Sequence, residues 1–158
     1  MTILVVGPNG SGKSAFAEAL AARICRGGLC YIATLLPCGE EGAARVEKHR
    51  AQRAGMGFVT FESPYAEAEI SREDTVLLED VSNLLANLMF EKKLENAETE
   101  TLRRVLSLRD GCENLIAVSI GGLQEEDGTD AETKRYIAAL HAVNDRLQKL
   151  ADTVVELV

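Results

Sequence analysis

"ILVVGPNGSGKS", residues 3–14, decides the fold class of this chain. An apolar run passes directly into the pattern G-x-x-x-x-G-K-[ST], carried by Gly7, Pro8, Asn9, Gly10, Ser11, Gly12, Lys13 and Ser14. A helical pattern, "KSAFAEALAARI" (13–24), starts at once behind it. Strand, Gly-rich turn and helix in that order let backbone N–H groups cradle the phosphates of a nucleotide. Gly7 and Gly12 permit the close turn, Lys13 brings a cation to the β and γ phosphates, and Ser14 offers a hydroxyl to Mg²⁺. The helix N-terminus adds its dipole to the same anion site. This makes the whole turn a candidate nucleotide site and Lys13 a candidate catalytic residue.

The rest of the chain repeats the alternation. "CYIAT" (30–34), "FVTFE" (58–62), "TVLLE" (75–79), "NLIAVS" (114–119) and "TVVEL" (153–157) read as strands beside "TILVV" (2–6). Their near-continuous apolar character suits a parallel sheet covered on both faces. Between them, 41–53, 81–93, 97–109 and 130–151 carry helical periodicity, the last opened by an Asp130 cap. The pattern predicts an α/β, P-loop NTPase-type doubly wound fold with a mostly parallel sheet, as a single nucleotide-binding domain over 1–158.

The totals narrow the function classes. The chain has 158 residues, 46% hydrophobic, with a net charge of −8 and no tryptophan. An acidic protein with few aromatics is a poor general binder of nucleic acid or of membrane surfaces, so any anionic ligand must be met by a local patch. No window is long and apolar enough to span a membrane, and the N-terminus lacks the build of a signal peptide. The four cysteines, Cys25, Cys30, Cys38 and Cys112, follow no metal or CxxC spacing and read as free thiols of a cytoplasmic protein.

Two further stretches bear on chemistry. The strand at 75–79 closes on "LLED", which would bring Glu79 or Asp80 to a Mg²⁺ ion at the C-terminal edge of the sheet, where ligands of α/β folds sit. The helix "ARVEKHRAQR" (44–53) gathers Arg45, Lys48, Arg50 and Arg53 around His49, one of only two histidines. Arg45, His49 and Arg53 are spaced by four and share a helix face. Nearby cations favour the neutral, nucleophilic imidazole and hold phosphate oxygens, so His49 is a candidate nucleophile. On these residues alone, a solvated basic helix with an incidental histidine remains open. His141 has no such company.

Taken together, these stretches resemble the bifunctional adenosylcobinamide kinase/adenosylcobinamide-phosphate guanylyltransferase family of cobalamin biosynthesis. The carrying residues are "ILVVGPNGSGKS", "YIAT" (31–34), "RVEKHRAQR" (45–53), "VTFE" (59–62), "LLEDVSNLLANLMF" (77–90) and "NDRLQKLADTVVELV" (144–158), in one order along the chain. The resemblance implies that GTP guanylylates His49 with release of pyrophosphate, and that GMP then passes to adenosylcobinamide phosphate. It implies a kinase step in which ATP or GTP phosphorylates adenosylcobinamide, so the partners are a nucleoside triphosphate and a corrinoid. Thr34, Glu62 and Glu79 match positions that contact the guanine nucleotide, Arg45 and Arg53 flank the histidine, and a homotrimer is implied.

The chain departs from the family pattern in places. "GPNG" stands where Gly-Gly-Ala-Arg is usual, "SIGGL" (119–123) lacks an Asn-Glu pair, and "YIA" (136–138) lacks an Arg-Asp pair. Those polar groups could orient an acceptor or take its proton, so their absence predicts GMP loading with a weakened kinase step. A P-loop kinase of another small alcohol and a non-catalytic guanine-nucleotide-binding paralogue are the alternatives.

Overall fold

The structure, a computed structural model, describes residues 1–36 and 39–158. The described residues run β1 (Thr2–Gly7), α1 (Lys13–Ile24), β2 (Leu29–Ala33), α2 (Gly39–Arg53), β3 (Val59–Glu62) and β4 (Thr75–Glu79). They continue through α3 (Val81–Ala86), α4 (Ala97–Gly111), β5 (Asn114–Ile120), α5 (Ala131–Leu150) and β6 (Thr153–Glu156). The six strands form one all-parallel sheet in the order β3-β2-β4-β5-β1-β6, the α/β P-loop-like fold expected from the alternation.

Apolar runs without alternation arise because helices cover both faces. One face, with Leu4, Ile32, Val76, Leu78 and Leu115, packs against α3, α4 and α5. The other, with Ile3, Val5, Tyr31, Leu77 and Ile116, packs against α1. Ala17 and Ala21 of α1 are fully buried there, and their small side chains let the helix lie close on the strands. From β1 the chain crosses to one side of the sheet, and from β5 it crosses to the other, which opens a crevice at the C-terminal ends of the strands.

The segment expected as one helix over 81–93 changes pitch. α3 widens into a π-helical turn at Asn87–Glu91. Within it the buried Asn87 amide donates to the carbonyls of Thr34 at 2.7 Å and Pro64 at 2.8 Å, a tertiary tie that local periodicity does not reveal. Among the described cysteines, Cys25, Cys30 and Cys112 are free; Cys38 lies outside the described residues. No helix among the described residues is long and apolar enough to cross a membrane.

Candidate active site

Sheet register explains which side chains meet. Glu62 of β3, Ala33 of β2 and Glu79 of β4 are aligned in one row at the C-terminal edge. Aligned residues of parallel neighbours point the same way, and successive residues point to opposite faces. Tyr31 and Leu77 lie on the α1 face, so Ala33 and Glu79, two residues further on, point there as well.

On that face the Gly-rich turn leads into α1. Gly10 and Gly12 have φ of 80° and 83°, backbone that L side chains rarely adopt, which explains glycine at both positions. Lys13 is buried at the first position of α1, with Nζ 3.4 Å from the Pro8 carbonyl. A Cβ on Gly7 would come within 2.6 Å of Ser11 Oγ, so the turn closes only around glycine. Ser14 Oγ donates a short hydrogen bond to Glu79 Oε1. Burial, with the adjacent Asp80 carboxyl second, pushes the Glu79 carboxyl up to about 8, and Glu79 Oε2 is buried with no hydrogen-bond partner among the described residues. A hydroxyl and an orphaned carboxylate oxygen brought together beside a lysine suit a divalent cation carrying a triphosphate.

Asp80 lines the same cavity as Glu79 but has a second task. One residue beyond Glu79, it caps α3 by accepting from the Asn83 N–H at 2.7 Å, which commits one carboxylate oxygen to the helix. Thr34 differs from the expectation for it. It is fully buried, donates to the Asp80 carbonyl at 2.9 Å and accepts from the Asp80 N–H at 2.8 Å. Its hydroxyl therefore pins the end of β4 from beneath and does not line the cavity.

Above this floor is a cavity of about 670 Å³. Its lining brings Lys13, Ser14 and Glu79 together with Arg45, His49 and Arg53 of α2, and with Glu62. Leu35, Val46, Pro64 and Ile120 give it an apolar lining. Burial lowers the His49 pKa from its ordinary value, and Arg53, Arg45 and Lys48 lower it further. His49 Nδ1 is buried with no hydrogen-bond partner among the described residues. A neutral imidazole ringed by cations is chemically a nucleophile facing an anion site. Glu62 pairs with Arg50 at the rim, tying α2 to the end of β3.

Sequence reasoning passed over Tyr31. Its ring lies 3.7 Å beneath the Arg53 guanidinium carbon, and it lines the cavity. The only signal for it is the family stretch "YIAT". Of the positions without the polar pairs, Ile137 is buried, Ala138 is exposed and Ile120 lines the cavity. A Cβ on Gly121 would approach Val6 Cγ1 to 2.4 Å, so any side chain there requires the Val6 side chain to give way. Tyr136 donates to the Ser82 carbonyl at 3.1 Å, while Asn144 accepts from Ser119 Oγ at 2.6 Å and donates to the Ile120 carbonyl at 3.0 Å. A second groove, about 770 Å³ between 66–71 and α4, lies apart from the turn, and its Arg103 and Arg104 are paired with Glu100 and Glu67.

An all-parallel sheet with a Gly-rich turn heading its first helix defines a P-loop-like α/β protein. Within that class the chain belongs to the cobinamide kinase / cobinamide phosphate guanyltransferase family, whose sequence profile matches residues 3–158. No curated protein matches the chain. The family implies kinase and guanylyltransferase chemistry on nucleotide and corrinoid substrates in cobalamin biosynthesis.

Proposed function

We propose that this protein transfers GMP from GTP to adenosylcobinamide phosphate through His49, and that the same nucleotide site serves phosphorylation of adenosylcobinamide by ATP or GTP. The observation that carries the reading is that His49, its pKa lowered, lines one cavity with Lys13 and Ser14. The unprotonated ring nitrogen attacks the α phosphorus of GTP, an N–P bond forms, the P–O bond to the β phosphate breaks, and pyrophosphate leaves. The ring then loses its other proton to solvent. A phosphate oxygen of the corrinoid next attacks the same phosphorus, the N–P bond breaks, and the imidazole regains a proton.

Lys13 and the turn hold the phosphates, Arg45 and Arg53 offset charge at the attacked phosphorus, and Glu62 and Glu79 contact the guanine nucleotide or its metal. Mg²⁺ held by Ser14 and Glu79 would neutralise phosphate charge. Thr34 acts by fixing the backbone that carries Glu79. In the kinase step the acceptor oxygen attacks the γ phosphorus, the bond to the β–γ bridging oxygen breaks, the nucleoside diphosphate leaves, and the hydroxyl proton passes to solvent. Ile120 and Gly121 supply no base for that proton, so this step is the slower activity. A homotrimer in the cytoplasm belongs to the same reading, and light scattering at the mass of three chains is the result expected for that assembly.

Incubation with GTP labelled at the α phosphate tests the transferase. Label that stays on the protein in base, leaves in acid and is absent from His49→Asn is expected. Binding of GTP without covalent label overturns the histidine mechanism. Phosphorylation of another alcohol without any label favours the simple kinase.

A further inference from the structure

We propose that Glu18 is a positioning residue for the His49 helix: with the Tyr31 ring it forms the socket in which Arg53 docks α2. Glu18 lies on the buried stripe of α1, Lys13–Ala17–Glu18–Ala21, and is only 1% exposed. A carboxylate between a helix and a sheet is costly without a partner, yet Glu18 Oε1 makes no hydrogen bond among the described residues. The cation whose field reaches it is Arg53, which opposes the upward push of burial on its pKa.

Arg53 shows the matching deficit. Among the described residues of α2 it is the one that is buried, and its Nε also lacks a partner. Its guanidinium lies over Tyr31, and Tyr31 packs in the same core cluster as Ala17 and Ala21, the neighbours of Glu18 on the buried stripe of α1. A buried N–H donor and a buried carboxylate oxygen, each without a hydrogen-bond partner among the described residues, thus belong to the two helices that meet at this ring. Most of α2 is polar and exposed, and beside the Arg50–Glu62 pair at the rim the Arg53 socket is its buried purchase on the sheet. His49 sits one helical turn before Arg53 on the same face, so whatever fixes Arg53 sets how His49 faces the Gly-rich turn.

The role in GMP loading rests on the His49 reading, but the docking itself does not. The test compares wild type, Glu18→Gln, Arg53→Lys and the double variant. Glu18→Gln keeps shape and removes charge, so it separates docking from packing. Hydrogen exchange over 45–53 is expected to rise about tenfold in each single variant, with exchange in α1 unchanged. Calorimetric GTP affinity of Glu18→Gln is expected to stay within about twofold while GMP loading slows about tenfold, and the double variant is expected to be no slower than the worse single one. Unchanged exchange over 45–53 in Glu18→Gln overturns the proposal, as do single effects that multiply in the double variant. If wild type loads no GMP, the histidine reading fails alone and exchange still decides the docking. If Glu18→Gln does not fold, exchange in Arg53→Lys decides: protection of 45–53 equal to wild type overturns the socket.

Discussion

α1 and α2 both face the same cavity, yet they are built in opposite ways. α1 buries Lys13, Ala17, Glu18 and Ala21 against the sheet, and its first turn is fixed by glycines at positive φ. α2 carries the candidate nucleophile half-buried, exposes most of its other side chains and, among the described residues, buries only Arg53. A group that holds phosphates gains from rigidity, because pre-set donors need no reorganisation. A group that must attack GTP and then hand GMP to a bulky acceptor gains from a support that can yield. The contrast predicts that substitutions in the first turn of α1 affect both activities and those in α2 affect one step.

The largest effect is expected at Lys13. Lys13→Ala removes the turn's only cation from the phosphate site, and triphosphate affinity should fall about a hundredfold, with both activities lost. Calorimetry with GTP checks this, and affinity within twofold of wild type breaks the assignment of the turn. His49→Ala comes next. It should abolish covalent GMP and GMP transfer while leaving adenosylcobinamide phosphorylation within about twofold, since phosphorylation has no use for the imidazole. Assaying both activities on one preparation decides it, and equal loss of the two would mean α2 is as integral as α1.

What the sequence made legible follows the same division. The turn, its strand and α1 are local, and strands buried on both faces announce themselves as apolar runs. Glu79 was legible as the end of such a run, but the parity that turns Glu79 toward Ser14 and Asp80 toward the α3 cap depends on where β4 stops. Thr34 was legible by resemblance as a nucleotide contact, whereas its hydroxyl is committed to the backbone of residue 80. Glu18 was hidden for a related reason. On a helical wheel it reads as one acid of a good helix former, and only the packing of α1 on Tyr31 makes it a buried charge. The π turn at Asn87 likewise depends on carbonyls from distant loops.

Stability should divide along the same line, by a smaller amount. Ala21→Leu forces extra methylenes between α1 and the strands at a fully buried position and should cost about 1–3 kcal/mol. Gln52→Ala on the exposed side of α2 should stay within about 0.5 kcal/mol. Urea midpoints at a constant slope measure both. Similar losses at the two positions would show α2 to be packed in solution, against the contrast drawn between the helices.

The smallest expected effect sharpens the contrast within α2. Arg45 is exposed, yet it shares the face of His49 and contributes, after burial and Arg53, to lowering the imidazole pKa. A lowered pKa keeps the ring neutral, and so nucleophilic, at pH values below the ordinary 6.5 of histidine. As pH falls through the true pKa the ring protonates and GMP loading must fail. Arg45→Ala removes one cation that opposes protonation, so the acid limb of the loading rate should move up in pH, toward 6.5. Above that limb the variant should still load, slower by about two- to fivefold, because an exposed charge contributes little at the attacked phosphorus. Rapid-quench loading rates across the acid range separate the two effects. A uniform slowing with no displaced limb would mean that Arg45 touches phosphate without touching the imidazole. A displaced limb at an unchanged plateau would mean that its whole influence runs through His49.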